Sequence, residues 1–105
     1  MISSATSFSS KFITAKPGKR DEILKNFKAN VAAVHAEKGC IEYGATVDTA
    51  GGPYAKFGPD TLVIIEKWES IDDLKAHAAS AHMKAYSEKN KDLVANRAVH
   101  ALQNA

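Results

Sequence analysis

The sequence predicts an α+β fold in which helices cover one face of an antiparallel β-sheet. Apolar and polar residues alternate in several short segments, as in strands with one buried face, and apolar residues recur every three or four positions in a longer segment, as in an amphipathic helix. The segments follow the order strand, helix, strand, strand, helix pair, strand. Because 105 residues provide one hydrophobic core, we expect a frayed terminus over residues 1–6 and a single domain over residues 7–105.

The first strand is predicted over residues 7–16. Phe8 and Phe12 fall on one face of this segment, and Ile13 falls on the other. A Pro-Gly pair follows directly, and both residue types favour a turn over a continued strand. The strand is therefore expected to end here and to lead into a helix.

The first helix is predicted from Lys19 or Arg20 to Lys38. Apolar residues recur in this segment at spacings of one, three and four, which places them in one stripe along a helix. Gly39 is a favoured residue just beyond a helix end. The stripe consists of Ile23, Leu24, Phe27, Val31 and Val34.

The second strand is predicted over residues 40–48, where successive side chains point to opposite faces. Residues 49–60 are rich in glycine and proline and predict a loop. The glycines of this loop lack the spacing of a phosphate-binding loop. One face of the strand carries Ile41, Tyr43, Ala45 and Val47, and the other carries Cys40, Glu42, Gly44 and Thr46.

The third strand, over residues 61–69, has apolar side chains on both faces of its first half. This pattern is typical of a strand that is covered on both sides. Helices would cover one face, and a second copy of the chain is the simplest cover for the other, which predicts a homodimer. One face carries Leu62, Ile64, Glu66 and Trp68, and the other carries Val63, Ile65 and Lys67.

The second helical segment begins after Ser70, a favoured N-cap residue that is followed by two aspartates in the first turn. Ser80 is expected to interrupt this segment and to start another helix. A last strand is predicted over residues 97–102. The complete order of elements is the split β-α-β arrangement of ferredoxin-like folds.

Composition and charge exclude several classes of protein. Its 14 basic residues are spread among 12 acidic ones, for a net charge of +2, which argues against a nucleic-acid partner. The longest apolar run, Leu62 to Ile65, is too short to span a membrane. The first ten residues have no signal-peptide pattern, so we expect a cytoplasmic protein. The single cysteine, Cys40, excludes an internal disulfide and a cysteine-based zinc site.

Glu66 is a carboxylate on the strand face that also carries apolar residues, so it needs a partner if helices cover it. His77 and His82 lie on the helical segment that returns over this face, and either imidazole is a candidate partner. Such a group could be a catalytic base with its orienting carboxylate. The alternative is a buried pair that only fixes the position of the helix.

The aromatic residues could line an apolar pocket with polar tips, which is the usual build of a small-molecule site. We predict no metal site, because two histidines five residues apart on one helix lie about 140° from each other. No acidic residue is evident at a fitting position. The candidate pocket residues are Trp68, Tyr43, Tyr54, Phe57 and Tyr86.

Four motifs resemble the antibiotic biosynthesis monooxygenase superfamily, and most of all its bacterial quinol monooxygenase branch. They are Pro-Gly before the first helix, Glu-x-Gly-Cys-x-x-Tyr over residues 37–43, Glu-x-Trp-x-Ser over residues 66–70 and the histidine pair over residues 77–82. The resemblance covers residues 12–102. It implies a dimeric α+β barrel that oxidises a quinol or polycyclic dihydroxy-aromatic with molecular oxygen and uses no flavin, haem or metal. Ser87 stands where haem-degrading members have an axial histidine, so no haem role is expected.

The expected roles combine the pattern and the resemblance. His77 or His82 would be the base and Glu66 would hold the imidazole. The alternatives are an isomerase or another small-molecule enzyme on the same scaffold, and a non-catalytic ligand-binding dimeric module. The expected substrate-binding residues are Trp68, Tyr86, Tyr43, Ile64 and Phe57.

Overall fold

The computed structural model describes residues 5–105. In this part of the chain, four strands form one antiparallel sheet in the order β2-β3-β1-β4. This is the ferredoxin-like α+β arrangement that the element order predicts. The predicted frayed terminus lies largely outside the described residues, and β1 begins at the expected position. The elements are β1 (Ser7–Ala15), α1 (Arg20–His35), β2 (Cys40–Thr46), β3 (Thr61–Trp68), α2 (Ile71–Ala78), α3 (Ala81–Asn90) and β4 (Val94–Gln103).

The β3 strand has two different faces, as its alternation predicts. Leu62, Ile64, Glu66 and Trp68 are all buried beneath the helices, and we call this side of the sheet the inner face. Ser9 and Lys11 of β1 pair with Glu66 and Ile64 and therefore share the inner face.

Helix α1 packs against the inner face through the predicted apolar stripe. Ile23, Phe27 and Val34 are buried in the core, and Leu24 and Val31 are partly buried against it. The stripe therefore supplies one side of the core, and the inner face of the sheet supplies the other.

Gly39 allows the turn after α1 to pass close to the start of α2. Its φ is +81°, a left-handed conformation that favours glycine. A Cβ at this position would overlap the side chain of Asp73. At this end of α2, Ser70 is the predicted N-cap, and its Oγ accepts the backbone N–H of Asp73 at 3.1 Å.

The face assignment predicted for β2 is wrong at its start, because a β-bulge interrupts the pairing between Cys40 and Glu42. Cys40 pairs with Trp68 and packs against the core. Ile41 is the extra residue of the bulge, and it is 48% exposed. From Tyr43 onward the predicted alternation holds.

Two element bounds differ from the prediction by three residues. Helix α1 ends at His35 and not at Lys38, and β4 begins at Val94, three residues before the predicted start. The predicted interruption at Ser80 is confirmed, because α2 and α3 are separate helices.

The opposite side of the sheet, which we call the outer face, carries apolar side chains and no helix among the described elements. Ile65 and Leu102 are 42% and 50% exposed. Phe57 of the loop packs on Phe12 with ring centroids 5.4 Å apart. The apolar residues of the outer face are Phe8, Phe12, Val63, Ile65 and Leu102.

Candidate active site

A cavity of about 620 Å³ lies between the inner face and helices α1 and α3. Its volume is within the range of roughly 300–1,000 Å³ that small-molecule sites occupy. The wall combines apolar side chains with several polar and charged ones. Its apolar part includes Ile13, Ile23, Phe27, Ile64 and Met83, and its polar part includes Lys11, Tyr43, Tyr86 and Arg97.

Glu66 is fully buried behind this wall and has three polar neighbours. Its Oε1 accepts the indole N–H of Trp68 at 3.0 Å. Its Oε2 lies 3.2 Å from Nζ of Lys11, an ion pair whose angle is outside that of a hydrogen bond. The Nε2 atom of His77 lies 3.6 Å from Oε1. The predicted proximity of Glu66, Trp68 and a histidine is therefore present in the structure.

His77 lies between two carboxylates and is also fully buried. Its Nδ1 is 2.8 Å from Oε2 of Glu37, and Nε2 of His82 is 2.9 Å from the same oxygen. The two histidines meet because they lie on separate helices, α2 and α3. The angle of about 140° expected on one continuous helix therefore does not apply. Glu37 is the acidic residue at a fitting position that the sequence interpretation missed.

Aromatic rings hold His77 in place. Its ring centroid lies 4.7 Å from that of Trp68 and 5.5 Å from that of Tyr43. Phe27 stacks on the other side of Tyr43 at 4.8 Å. Tyr43 therefore separates the cavity from His77 and contacts both.

The structure divides the predicted site residues into four groups. Tyr43, Ile64 and Tyr86 line the cavity, as expected. Glu66, Trp68 and His77 form a buried layer behind the wall, so Trp68 does not form the wall itself. His82 lies at the surface beside Glu37, with 33% of its side chain exposed. Phe57 lies on the outer face, where it packs on Phe12 and is separated from the cavity by the sheet.

Lys11 is a further residue that the sequence interpretation missed. It lines the cavity and also pairs with Glu66. A signal for it exists in the sequence, because alternation places Lys11 on the same face of β1 as Ile13 and on the other face from Phe12. A buried carboxylate on the neighbouring strand needs a cation on its own face of the sheet.

The two phenols of the cavity wall stay protonated over the whole neutral range. Burial, together with the negative charge of Glu66, raises the pKa of Tyr43 far above its ordinary value. Burial also raises the pKa of Tyr86, an effect that Asn90 and Arg97 oppose. Both phenols can therefore donate a hydrogen bond to an oxygen of a bound molecule.

No helix within residues 5–105 combines the length and apolar character needed to cross a membrane. This finding agrees with the short apolar runs of the sequence.

Comparison with known families and relatives gives a consistent result. The family model described as "Antibiotic biosynthesis monooxygenase" matches residues 9–89. The Escherichia coli K12 protein named "Probable quinol monooxygenase YgiN" is 42% identical over 94 residues, which are 87% of this chain and 90% of that protein. A Bacillus subtilis relative, YcnE, is 31% identical over 84 residues, which are 79% of this chain and 80% of its own.

Solved structures share the fold over nearly the whole chain. A Pseudomonas aeruginosa protein superposes with a TM-score of 0.80 at 25% identity, covering 100% of this chain and 99% of that one. A conserved protein of Methanosarcina mazei superposes with a TM-score of 0.83 at 20% identity, covering 98% and 96%.

Proposed function

Because the chain belongs to the antibiotic biosynthesis monooxygenase family, we propose that it oxidises a quinol or polycyclic dihydroxy-aromatic with molecular oxygen. The observation that carries the proposal is the position of Lys11. This residue joins the cavity wall to the buried pair of Glu66 and His77. A cation at the wall and a proton acceptor behind it are what ionisation of an aromatic hydroxyl requires.

The proposed reaction balances without a further reductant. One quinol and one O₂ give one hydroxyquinone and one water. The ring loses two electrons on going from quinol to quinone and two more when a ring C–H becomes C–OH, and O₂ takes all four. The protein need only bind the ring, remove a proton and stabilise the electron-rich anion, so no cofactor is part of the proposal.

Lys11 is proposed to stabilise the ionised hydroxyl through its charge. Tyr43 and Tyr86 donate hydrogen bonds to the ring oxygens, since both phenols remain protonated. Ile64 provides apolar contact with the flat ring. The substrate thus meets the charge of Lys11 and two neutral donors in a partly buried site, where a charge interaction is stronger than in water.

The proton is proposed to leave through the buried layer. Glu66 accepts it next to Lys11 and passes it to Nε2 of His77, which lies 3.6 Å from Oε1. Glu37 and the half-exposed His82 continue the line of acceptors to the surface. The histidines therefore act through Glu66 and do not touch the substrate, which changes the direct base role expected from the sequence.

The test is oxygen uptake across a panel of dihydroxynaphthalenes. Lys11→Met keeps most of the side-chain length and removes the charge, and we expect at least a tenfold loss of rate. Lys25→Met is the matched control, because Lys25 is exposed on α1 and does not line the cavity.

A second variant covers the case in which Lys11→Met fails to fold without a counter-ion for Glu66. Tyr86→Phe removes one donor from the wall and leaves the ion pair intact. Equal rates for Lys11→Met, Tyr86→Phe and Lys25→Met in folded protein would exclude this site.

We also propose that the working form is a cytoplasmic homodimer, each protomer a single domain over residues 7–105. The support is the outer face, where Ile65 and Leu102 are exposed without a covering helix in the described chain. Two outer faces in contact would cover each other and give the α+β barrel that the resemblance implies. Light scattering at micromolar concentration tests it, and a folded monomer would contradict it.

A second candidate function has support from the charge of the cavity. Four basic residues line it: Lys11, Lys84, Lys91 and Arg97. Such groups would suit an isomerase acting on a phosphorylated substrate. Inorganic phosphate that competes with quinol oxidation at millimolar concentration would favour this alternative, and no effect of phosphate would count against it.

A further inference from the structure

We propose that Glu37, His77 and His82 form a binding site for a divalent transition-metal ion of the Zn²⁺ class, and that the bound ion is an inhibitor. The binding stands on the geometry of these three residues alone. The inhibition rests on the proposed function, because it concerns the proton path through His77.

The three side chains already point to one centre. Oε2 of Glu37 is 2.8 Å from Nδ1 of His77 and 2.9 Å from Nε2 of His82, and the three donor atoms all lie within 4.8 Å of one another. Two donors bound tetrahedrally to Zn²⁺ at about 2.0–2.1 Å lie about 3.4 Å apart. The carboxylate oxygen would move outward by about half an ångström to admit the ion.

The far side of His77 supplies an independent observation. Its Nε2 is buried and has no hydrogen-bond partner among the described residues, yet it points at Oε1 of Glu66 from 3.6 Å. A neutral His77 that donates from Nδ1 to Glu37 would place two acceptors against each other here. A metal ion on Nδ1 moves the proton to Nε2, which then faces the carboxylate. A ligating histidine commonly donates its other N–H to a carboxylate in this way.

The proposed metal site is open to solvent. His82 and Glu37 have 33% and 16% of their side chains exposed, whereas His77 has none. An ion can therefore arrive from solvent without passing through the cavity. Ser80 Oγ lies 3.3 Å from Nε2 of His82 and borders the open position. Two imidazoles and one carboxylate suit Zn²⁺, Co²⁺ or Ni²⁺ better than Mg²⁺ or Ca²⁺.

Occupation of the site would interrupt the proposed proton path. With the ion on Nδ1 and a proton on Nε2, His77 has no free lone pair with which to take a proton from Glu66. Glu37 and His82, the next acceptors in the line, are bound to the same ion. The metal would thus inhibit the reaction in the cavity without occupying the cavity.

The chain contains its own probe for binding. Trp68 is the one tryptophan in the sequence, and its ring centroid lies 4.7 Å from that of His77. Untagged full-length protein, first treated with a chelator, would be titrated with Zn²⁺ while Trp68 fluorescence is recorded. Co²⁺ added separately should give the visible absorption of a four- or five-coordinate site. We expect saturation at one ion per chain for both metals and no response to Mg²⁺.

His82→Ala should weaken binding at least tenfold and should fold, because His82 is at the surface. Glu37→Gln should weaken it as well. His35→Ala is the matched control, since His35 lies 3.9 Å from the Cys40 thiol and belongs to a separate pair of possible ligands. Binding unchanged by His82→Ala, or lost with His35→Ala, would overturn the assignment and leave the cluster as hydrogen-bonded side chains only.

The inhibition has a separate readout. In a protein that oxidises a quinol, Zn²⁺ at saturating concentration should lower the rate at least tenfold, and excess chelator should restore it. Saturable binding with an unchanged rate would overturn the inhibitory role. If no quinol is oxidised but Co²⁺ still binds with the expected spectrum, the proposed function fails and the metal site stands.

Discussion

The two faces of β3 differ in exposure, and each contains a residue that does not match its surroundings. The inner face contains the charged residue Glu66 next to Trp68, and both are fully buried. The outer face contains Val63 and Ile65, which are apolar and partly or largely exposed. Simple partition of polar and apolar residues predicts the reverse for Glu66 and for Ile65. The difference is consistent with the two proposals made above, a reaction on the inner face and association of two chains through the outer face.

Glu66→Ala should have the largest effect on the free energy of unfolding. It would leave the Lys11 ammonium and the Trp68 N–H without their carboxylate, and breaking a buried pair costs about 3–5 kcal/mol. Chemical denaturation at fixed protein concentration measures this loss. Glu69→Ala, which removes an exposed carboxylate one residue beyond the same strand, is the control and should cost under about 0.5 kcal/mol. Equal losses would show that the buried position of Glu66 adds nothing to its contribution.

Val63→Lys tests the outer face. If two outer faces meet, this change places an unpaired charge in an apolar interface, which costs several kcal/mol. We expect association to be lost at micromolar concentration, as judged by light scattering. The same change on a face open to water would leave both mass and unfolding midpoint unaltered, and that outcome would remove the argument for a dimer.

His77→Ala should affect both stability and rate. Removal of one partner from a buried polar cluster costs about 1–3 kcal/mol, since Glu37 and Glu66 lose the group between them. The proposed proton path adds a loss of at least tenfold in the oxidation rate per folded molecule. Melting curves and oxygen uptake separate the two effects. An early melting point with an undiminished rate would make His77 a structural residue only.

Loss of the charge of Asp48 should have the smallest effect on stability, and only through the loop that packs on the outer face. It accepts the backbone N–H of Phe57 at 3.0 Å and of Gly58 at 2.8 Å. These bonds hold the pKa of Asp48 below its usual value, so their contribution is present above the unfolded pKa of about 3.9 and disappears as pH falls through the folded value.

The matched variant for this prediction is Asp48→Asn, which keeps an acceptor and removes the charge. Wild type should be the more stable of the two at pH 6, and the difference in unfolding midpoint should shrink between pH 4 and pH 2. A difference that is constant across this range would show that the charge of Asp48 does not hold the loop.

The sequence predicts the inner face better than the site on it. Strict alternation in β3 placed Glu66 and Trp68 together, and the helix stripe located the core, because both signals are local and periodic. The contact of Glu37 with His77 has no such signal. It arises from a turn after α1 and a break between two helices, and each is set by packing of segments distant in the sequence.

Two further differences between the prediction and the structure concern Cys40 and Lys11. The bulge at Ile41 shifts one residue of β2 and so reverses the face of Cys40, a displacement that regular alternation cannot represent. Lys11 was predictable in principle, since its parity is visible, but a lysine in a strand is more often solvent-exposed. The position of Lys11 indicates a site residue only when Glu66 is known to be buried and to need a cation.

The central position of β1 has a consequence for synthesis on the ribosome. β1 pairs with β3 and β4, and Ser7 is matched with Gln103 at the far end of the chain. The first strand of the sheet to be made therefore receives its last partner only after β4 has left the exit tunnel. Until then β1 keeps at least one unpaired edge, and such edges invite pairing with other chains. Nascent copies of this protein should therefore depend on ribosome-associated chaperones more than does a domain in which neighbouring strands are adjacent in sequence.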